Sequence, residues 1–162
     1  LYIFNRETKE ELRRLGIARG TASVELNDRE LARIGIEEQV FIAYGYQPVM
    51  ISAGCIQKTS ASCDGKGGVL SISDRYQKKF AVRRYCRDCY NVMYNSAPLF
   101  LADKAEEVHA LAPAELRLDF TTESSGQVKE ICHAYTLAFE KGCKTEPPMQ
   151  DYTRGHFKRG VK

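Results

Sequence analysis

Before residue 45 the chain alternates short apolar runs with helix-forming segments, joined by only a few residues each, and this rhythm restricts the fold most. Leu1 to Phe4 has the character of a buried strand. Glu7 to Leu15 reads as a helix, with Leu12 and Leu15 three apart and Gly16 as its stop. Thr21 to Leu26 is a second strand. Asn27 or Asp28 then caps a short helix through Ile34, which Gly35 ends, and Gln39 to Ala43 is a third strand. Strand–helix–strand–helix–strand with tight connections predicts parallel βα units in an α/β fold. The rhythm returns after residue 100, with a helix from Asp103 to Leu111, a strand from Glu115 to Phe120 and a helix from about Ser124 to Phe139. Such units make half of an eight-fold barrel or a small doubly wound sheet.

Between these halves lies a different kind of sequence. Cys55, Cys63, Cys86 and Cys89 fall within 35 residues, spaced C-x7-C-x22-C-x2-C, with the flexible Asp64-Gly65-Lys66-Gly67-Gly68 between the pairs. A Cys-x-x-Cys pair can turn both sulfurs to one side, and a second pair from a nearby loop completes the four ligands of tetrahedral zinc or an iron–sulfur cluster. The competing reading is four free or buried thiols, or two disulfides. Gly68 to Ser73 and Lys78 to Arg83 alternate apolar and polar residues around Asp74-Arg75-Tyr76-Gln77, which predicts an antiparallel hairpin. Tyr90 to Tyr94 reads as a further strand.

In either parallel fold the functional face lies beyond the carboxyl ends of the strands. Glu25, Asn27, Tyr44, Arg117 and Asp119 fall at such ends, and the tail brings Arg154 and His156 back towards that region. The alternative for each is a polar group that merely ties a loop or a salt bridge. Net charge is only +3, too small to argue for nucleic acid, although basic residues cluster around the cysteines and in the tail as Arg154, His156, Lys158, Arg159 and Lys162. Arg in these places suits an anionic small molecule or RNA, because its planar fork pairs with phosphate or carboxylate.

No apolar run approaches a membrane span and no signal peptide opens the chain, so a cytoplasmic protein without a membrane partner is expected. The start at Leu1, inside an apolar run, suggests a piece of a longer protein. Cys132 falls in a helical pattern and reads as core, Cys143 as a surface thiol, and His109 and His133 as ordinary helix residues. Standard hydrolytic motifs are missing: there is no His-Glu-x-x-His and no Gly-x-Ser-x-Gly. A nucleophilic pair such as Cys55 with His156 would have to meet in space.

Several segments together resemble one family. Val24-Glu25-Leu26-Asn27, Ala43-Tyr44-Gly45-Tyr46-Gln47-Pro48-Val49-Met50, Ser73-Asp74-Arg75 and Phe80-Ala81-Val82 are followed by Tyr94-Asn95-Ser96-Ala97-Pro98-Leu99, Leu116-Arg117-Leu118-Asp119-Phe120 and the closing segment from Tyr152 to Val161. In this order they resemble the collagenase-like peptidases of family U32. The resemblance implies the carboxyl-terminal half of a TIM-type barrel, residues 1–142, with a cysteine-rich β-hairpin insertion at about 52–92 and an irregular basic tail at 143–162. It implies an enzyme, a peptidase by name. Some relatives instead hydroxylate RNA bases or quinones, the latter with a [4Fe–4S] cluster on four cysteines. Cys55 and Cys63 match the first two cluster positions, after the Pro48-Val49-Met50 strand, and Cys86 the third; Cys89 as the fourth comes from spacing. Catalytic residues stay unassigned. A structural zinc domain without catalysis, or a protease of unassigned mechanism, are the alternatives. A half-barrel also implies a partner, either the other half or a second copy.

Overall fold

A computed structural model describes residues 1–60 and 62–160; Val161 and Lys162, the end of the expected closing motif and basic tail, lie outside the described residues. In chain order the elements are β1 (Tyr2–Ile3), α1 (Arg6–Arg14), β2 (Thr21–Ala22), α2 (Asp28–Ile34), β3 (Val40–Gly45), β4 (Pro48–Ser52), α3 (Ile56–Ser60), β5 (Gly68–Ser73), β6 (Lys79–Tyr85) and β7 (Tyr90–Tyr94). They continue as β8 (Leu99–Phe100), a 3-10 turn (Ala102–Lys104), α4 (Ala105–Ala110), β9 (Glu115–Asp119) and α5 (Ser125–Phe139). These form two compact units: Leu1–Gly45 with Leu99–Lys162, and Tyr46–Pro98, which interrupts the first in sequence.

The first unit is the α/β body. β1, β2, β3 and β9 pair in parallel, and β8 adds an antiparallel pair to β3 at Tyr44 and Gly45. The strands are joined by helices whose ends are written in the sequence. Asn5 caps α1, Asn27 and Glu30 form a reciprocal capping box on α2, and Ser124 and Gln127 do the same for α5. β2 stops after two residues instead of running to Leu26, because Leu26 N–H donates to Ser23 O (3.4 Å) and turns the chain into the Asn27 cap. At Gly45 the backbone holds φ 144°, and a Cβ there would lie 2.6 Å from Asp119 O, so close β3–β9 packing requires glycine.

The core of this unit lies between β3, β8 and α5. On α5 Ile131, Ala134, Tyr135 and Ala138 are buried, the i, i+3, i+4, i+7 stripe of a helix lying on a sheet. Cys132 falls off that stripe and is exposed, so the expectation that it is core is corrected by one helical step. Tyr135 is the polar keystone. Its hydroxyl donates to Ala43 O (2.6 Å) on β3 and accepts from Leu101 N–H (2.9 Å), and burial pushes its pKa well above the ordinary phenol value. Tyr135→Phe leaves a buried carbonyl and a buried N–H without partners, each costing about 1–3 kcal/mol. We expect a loss of about 2–4 kcal/mol on chemical denaturation with an unchanged denaturant slope; a change under about 0.5 kcal/mol would refute this bridging role.

The second unit is an antiparallel sheet in the order β4-β7-β6-β5. The expected hairpin is present as β5–β6, registered from Gly68 opposite Arg84 to Ser73 opposite Lys79. It is half of a larger object, since β7 pairs with β6 and β4 pairs with β7. The second unit spans Tyr46–Pro98, wider than the expected insertion at about 52–92, because the Pro48–Ser52 strand pairs with β7 and so belongs to this sheet. Among the described residues no helix is long and apolar enough to cross a membrane.

Candidate metal centre

All four cysteines singled out by spacing belong to the second unit, and each is carried by a differently supported segment. Cys86 and Cys89 are the first and last residues of the four-residue turn between β6 and β7. The base of that hairpin is locked by the pair Tyr85–Tyr90, whose rings stack at 4.6 Å between centroids. Cys89 takes φ 53°, a left-handed conformation that costs a non-glycine residue free energy and that recurs where a side chain must be aimed. Cys55 immediately precedes α3, its carbonyl accepting from Thr59 N–H and from Thr59 Oγ1, both at 3.0 Å. Asn91 of β7 fixes the approach to this segment by donating from Nδ2 to Gly54 O (2.6 Å).

Cys63 sits on the glycine-rich loop that leads to β5. Two contacts fold that loop onto β6: Asp64 Oδ1 receives Arg84 Nη1 at 3.2 Å, and the Cys86 thiol donates to Lys66 O at 3.2 Å. Gly68 enters β5 at φ 146°, a conformation only glycine adopts without strain. In the sheet register Ser52, Asn91, Arg84 and Gly68 stand opposite one another across β4, β7, β6 and β5. Side chains opposite each other share a face, so Arg84 and Asn91 come to the same side.

These supports bring Cys55, Cys63, Cys86 and Cys89 to the wall of one cavity of about 140 Å³, shared with Lys58, Arg84 and Asn91. All four thiols are free. Among the described residues no three His, Cys, Asp or Glu side chains gather into a group able to hold a single metal ion. Partial burial pushes the Cys86 thiol above its ordinary pKa; Arg84 opposes this, and the neighbouring Cys63 and Cys55 sulfurs reinforce it. Two buried polar atoms of the lining residues have no hydrogen-bond partner among the described residues, Arg84 Nε and Asn91 Oδ1. Neither residue was singled out from sequence. Arg84 looked like one of several surface cations, and the only signal for Asn91 is a short polar residue between Tyr90 and Val92 in an apolar strand.

The residues expected at a substrate mouth all lie in the first unit. Arg117 is held by Asp119, with Nε 2.9 Å from Oδ1 and Nη2 donating to Oδ2 at 3.1 Å, and it reaches Thr21 Oγ1 at 3.4 Å. Asn27 is occupied as the α2 cap. Arg154 donates from Nε to Asp103 Oδ2 (2.9 Å) and lies over the Tyr152 ring, and His156 Nδ1 is 3.0 Å from Gly160 O. Glu25 is exposed just before the Asn27 cap. Cys143 is exposed, and His109 packs its ring against Phe139.

The described residues of the tail, 143–160, form no helix or strand yet are docked. Lys158 Nζ donates to Asp28 Oδ2 at 2.7 Å, which holds the Asp28 carboxyl below, and the Lys158 ammonium above, their ordinary values. A lowered carboxylate stabilises the fold above its unfolded pKa, near 3.9, and that contribution fades as pH falls through the folded value. The raised ammonium contributes below about 10.4 and loses its contribution as pH rises through its folded value. The clamp is thus intact across neutral pH. The melting-temperature difference between wild type and Asp28→Asn should be constant from pH 5 to 8 and shrink as pH falls below the ordinary carboxylate value of about 3.9; a difference undiminished in strong acid would exclude this ion pair as its source.

Comparison of the chain with protein-family models, with curated proteins and with solved structures returned no match.

Proposed function

We propose that the chain is an iron–sulfur protein of the U32 peptidase type, the second unit holding a [4Fe–4S] cluster on Cys55, Cys63, Cys86 and Cys89. The observation that carries this reading is the cavity itself: four thiols from three separate segments line one space beside the buried Arg84 side chain. A zinc ion with Zn–S bonds of about 2.3 Å draws tetrahedral ligands to about 3.8 Å from one another. A cubane places each thiolate on a different iron, so its four sulfurs stand further apart around a larger body. The two occupants therefore differ in the sulfur–sulfur spacing they would require of Cys55, Cys63, Cys86 and Cys89.

The remainder of the reading rests on the family resemblance. The parallel βα units of the first unit are those of half a TIM-type barrel. Tyr2 on β1 and the flanking Leu1 and Phe4 are exposed apolar residues that a completing half-barrel or a second copy would cover. The reaction is of the hydroxylation type, on an RNA base or a quinone, with the cluster supplying one-electron chemistry when bound. In that reading Glu25, Asn27, Arg117, Arg154 and His156 face the substrate.

The test is anaerobic reconstitution of the 162-residue chain with ferrous iron and sulfide. Visible absorption with about four irons and four sulfides per chain is the expected result. Stoichiometric zinc uptake without iron–sulfide uptake would replace this reading by the structural zinc site. Casein or gelatin cleavage by metal-free protein would replace it by the peptidase.

A further inference from the structure

We infer that Arg84 is a positioning residue of the cysteine cavity: it donates a hydrogen bond to sulfur there and stabilises the more reduced, more negative state of the bound centre. The inference rests on the iron–sulfur reading above.

Three observations lead to it. The Arg84 side chain is only 9% exposed, although it is a cation on the sheet of a small unit. It lines the same cavity as the four thiols. Its Nη1 is held by Asp64, while its Nε–H has no acceptor among the described residues. Buried donors are almost always paired, so an unpaired guanidinium N–H beside four thiols points to an acceptor that arrives with the occupant. Thiolate sulfur and inorganic sulfide are such acceptors. The electrostatics agree. A cubane with four thiolates carries net charge minus two when oxidised and takes up one electron, without a proton, to reach minus three. A fixed positive charge in a poorly solvated site favours the second state over the first, and so raises the reduction potential.

Asp64 makes the inference sharply testable. It sits beside Cys63 and partly neutralises Arg84 through the 3.2 Å contact. If the pair served only to pin the loop, removing either partner would loosen the same contact and move the centre the same way. If the Arg84 charge acts on the centre, the two removals act with opposite signs. Arg84→Gln should lower the midpoint potential, Asp64→Asn should raise it, and Arg84→Lys should lie between Arg84→Gln and wild type. Lys58→Gln removes an exposed cation from the same cavity wall and should shift the midpoint less than Arg84→Gln, because solvent screens that charge.

The experiment is a dithionite titration of reconstituted full chains, with iron and sulfide content measured alongside. Opposite shifts at equal loading support the inference. Shifts of one sign, or none, overturn it and leave the iron–sulfur reading standing. Should Arg84→Gln fail to load, Asp64→Asn decides alone: a raised midpoint supports the inference, and an unchanged or lowered one overturns it. A wild-type chain that takes up no iron and sulfide brings down both.

Discussion

Cys86→Ser is expected to abolish iron and sulfide uptake in anaerobic reconstitution, while Cys132→Ser and Cys143→Ser retain the wild-type iron content. Cys86 is the thiol most closely built into the cavity. It follows Arg84 by two residues, closes the stacked Tyr85–Tyr90 hairpin and touches the glycine-rich loop through Lys66 O. Serine keeps that hydrogen bond but not the soft thiolate that iron prefers, so the loop should stay folded while the ligand is lost. Far-UV circular dichroism should be unchanged. Cys132 and Cys143 are exposed, belong to the first unit and do not line the cavity. Retained cluster content in Cys86→Ser, or loss in Cys132→Ser, would show that the four-cysteine set has been drawn wrongly.

The first unit was legible where local chemistry and periodicity agree. The capping residues Asn27 and Ser124 announce α2 and α5 within a residue of their starts, and the glycine at 35 stops α2 at φ 74°. The strand around residue 40 and the one around residue 117 could be seen because each is a short apolar run bounded by turn-formers. Their parallel pairing followed from the intervening helices. What could not be read was β8, two residues long and antiparallel to β3, since no pattern exists at that length.

The second unit was harder, for a definite reason. β4 exposes Val49 and Met50 at 54% each and Ile51 at 71%, so apolar residues point to both faces and the period-two alternation that marks a half-buried strand is absent. The alternation in β5 and β6 survives, so that hairpin is legible and Tyr90–Tyr94 reads as a strand beside it, but the four-stranded order β4-β7-β6-β5 is not written in the sequence. Cysteine spacing identified the four thiols but not their supports. Asn91 and Arg84 stand opposite each other through strand register, and register between distant segments is not written in a single sequence. Likewise Arg117 and Arg154 were recognisable as strand-end and tail cations, whereas their engagement by Asp119 and Asp103 depends on the fold.

Phe157→Ala is expected to destabilise the first unit by about 3–5 kcal/mol, more than any ion pair of the tail. Phe157 is 3% exposed and sets its ring edge-on to Phe41 of β3, with centroids 5.9 Å apart. The segment before it crosses the core at β8: Phe100 N–H donates to Thr153 O at 2.9 Å, and Asp28 N–H at the start of α2 donates to Phe157 O at 2.8 Å. The charged contacts around it, Arg154 with Asp103 and Lys158 with Asp28, are partly exposed and should be worth no more than about 1 kcal/mol each. Burial of the aromatic ring therefore decides whether the tail stays docked, and the ion pairs set its register. Against a total stability of about 5–15 kcal/mol the loss is a large fraction. Chemical denaturation of Phe157→Ala beside Arg154→Ala measures the ranking directly. A larger effect from Arg154→Ala would mean that charge, rather than the buried ring, holds the tail.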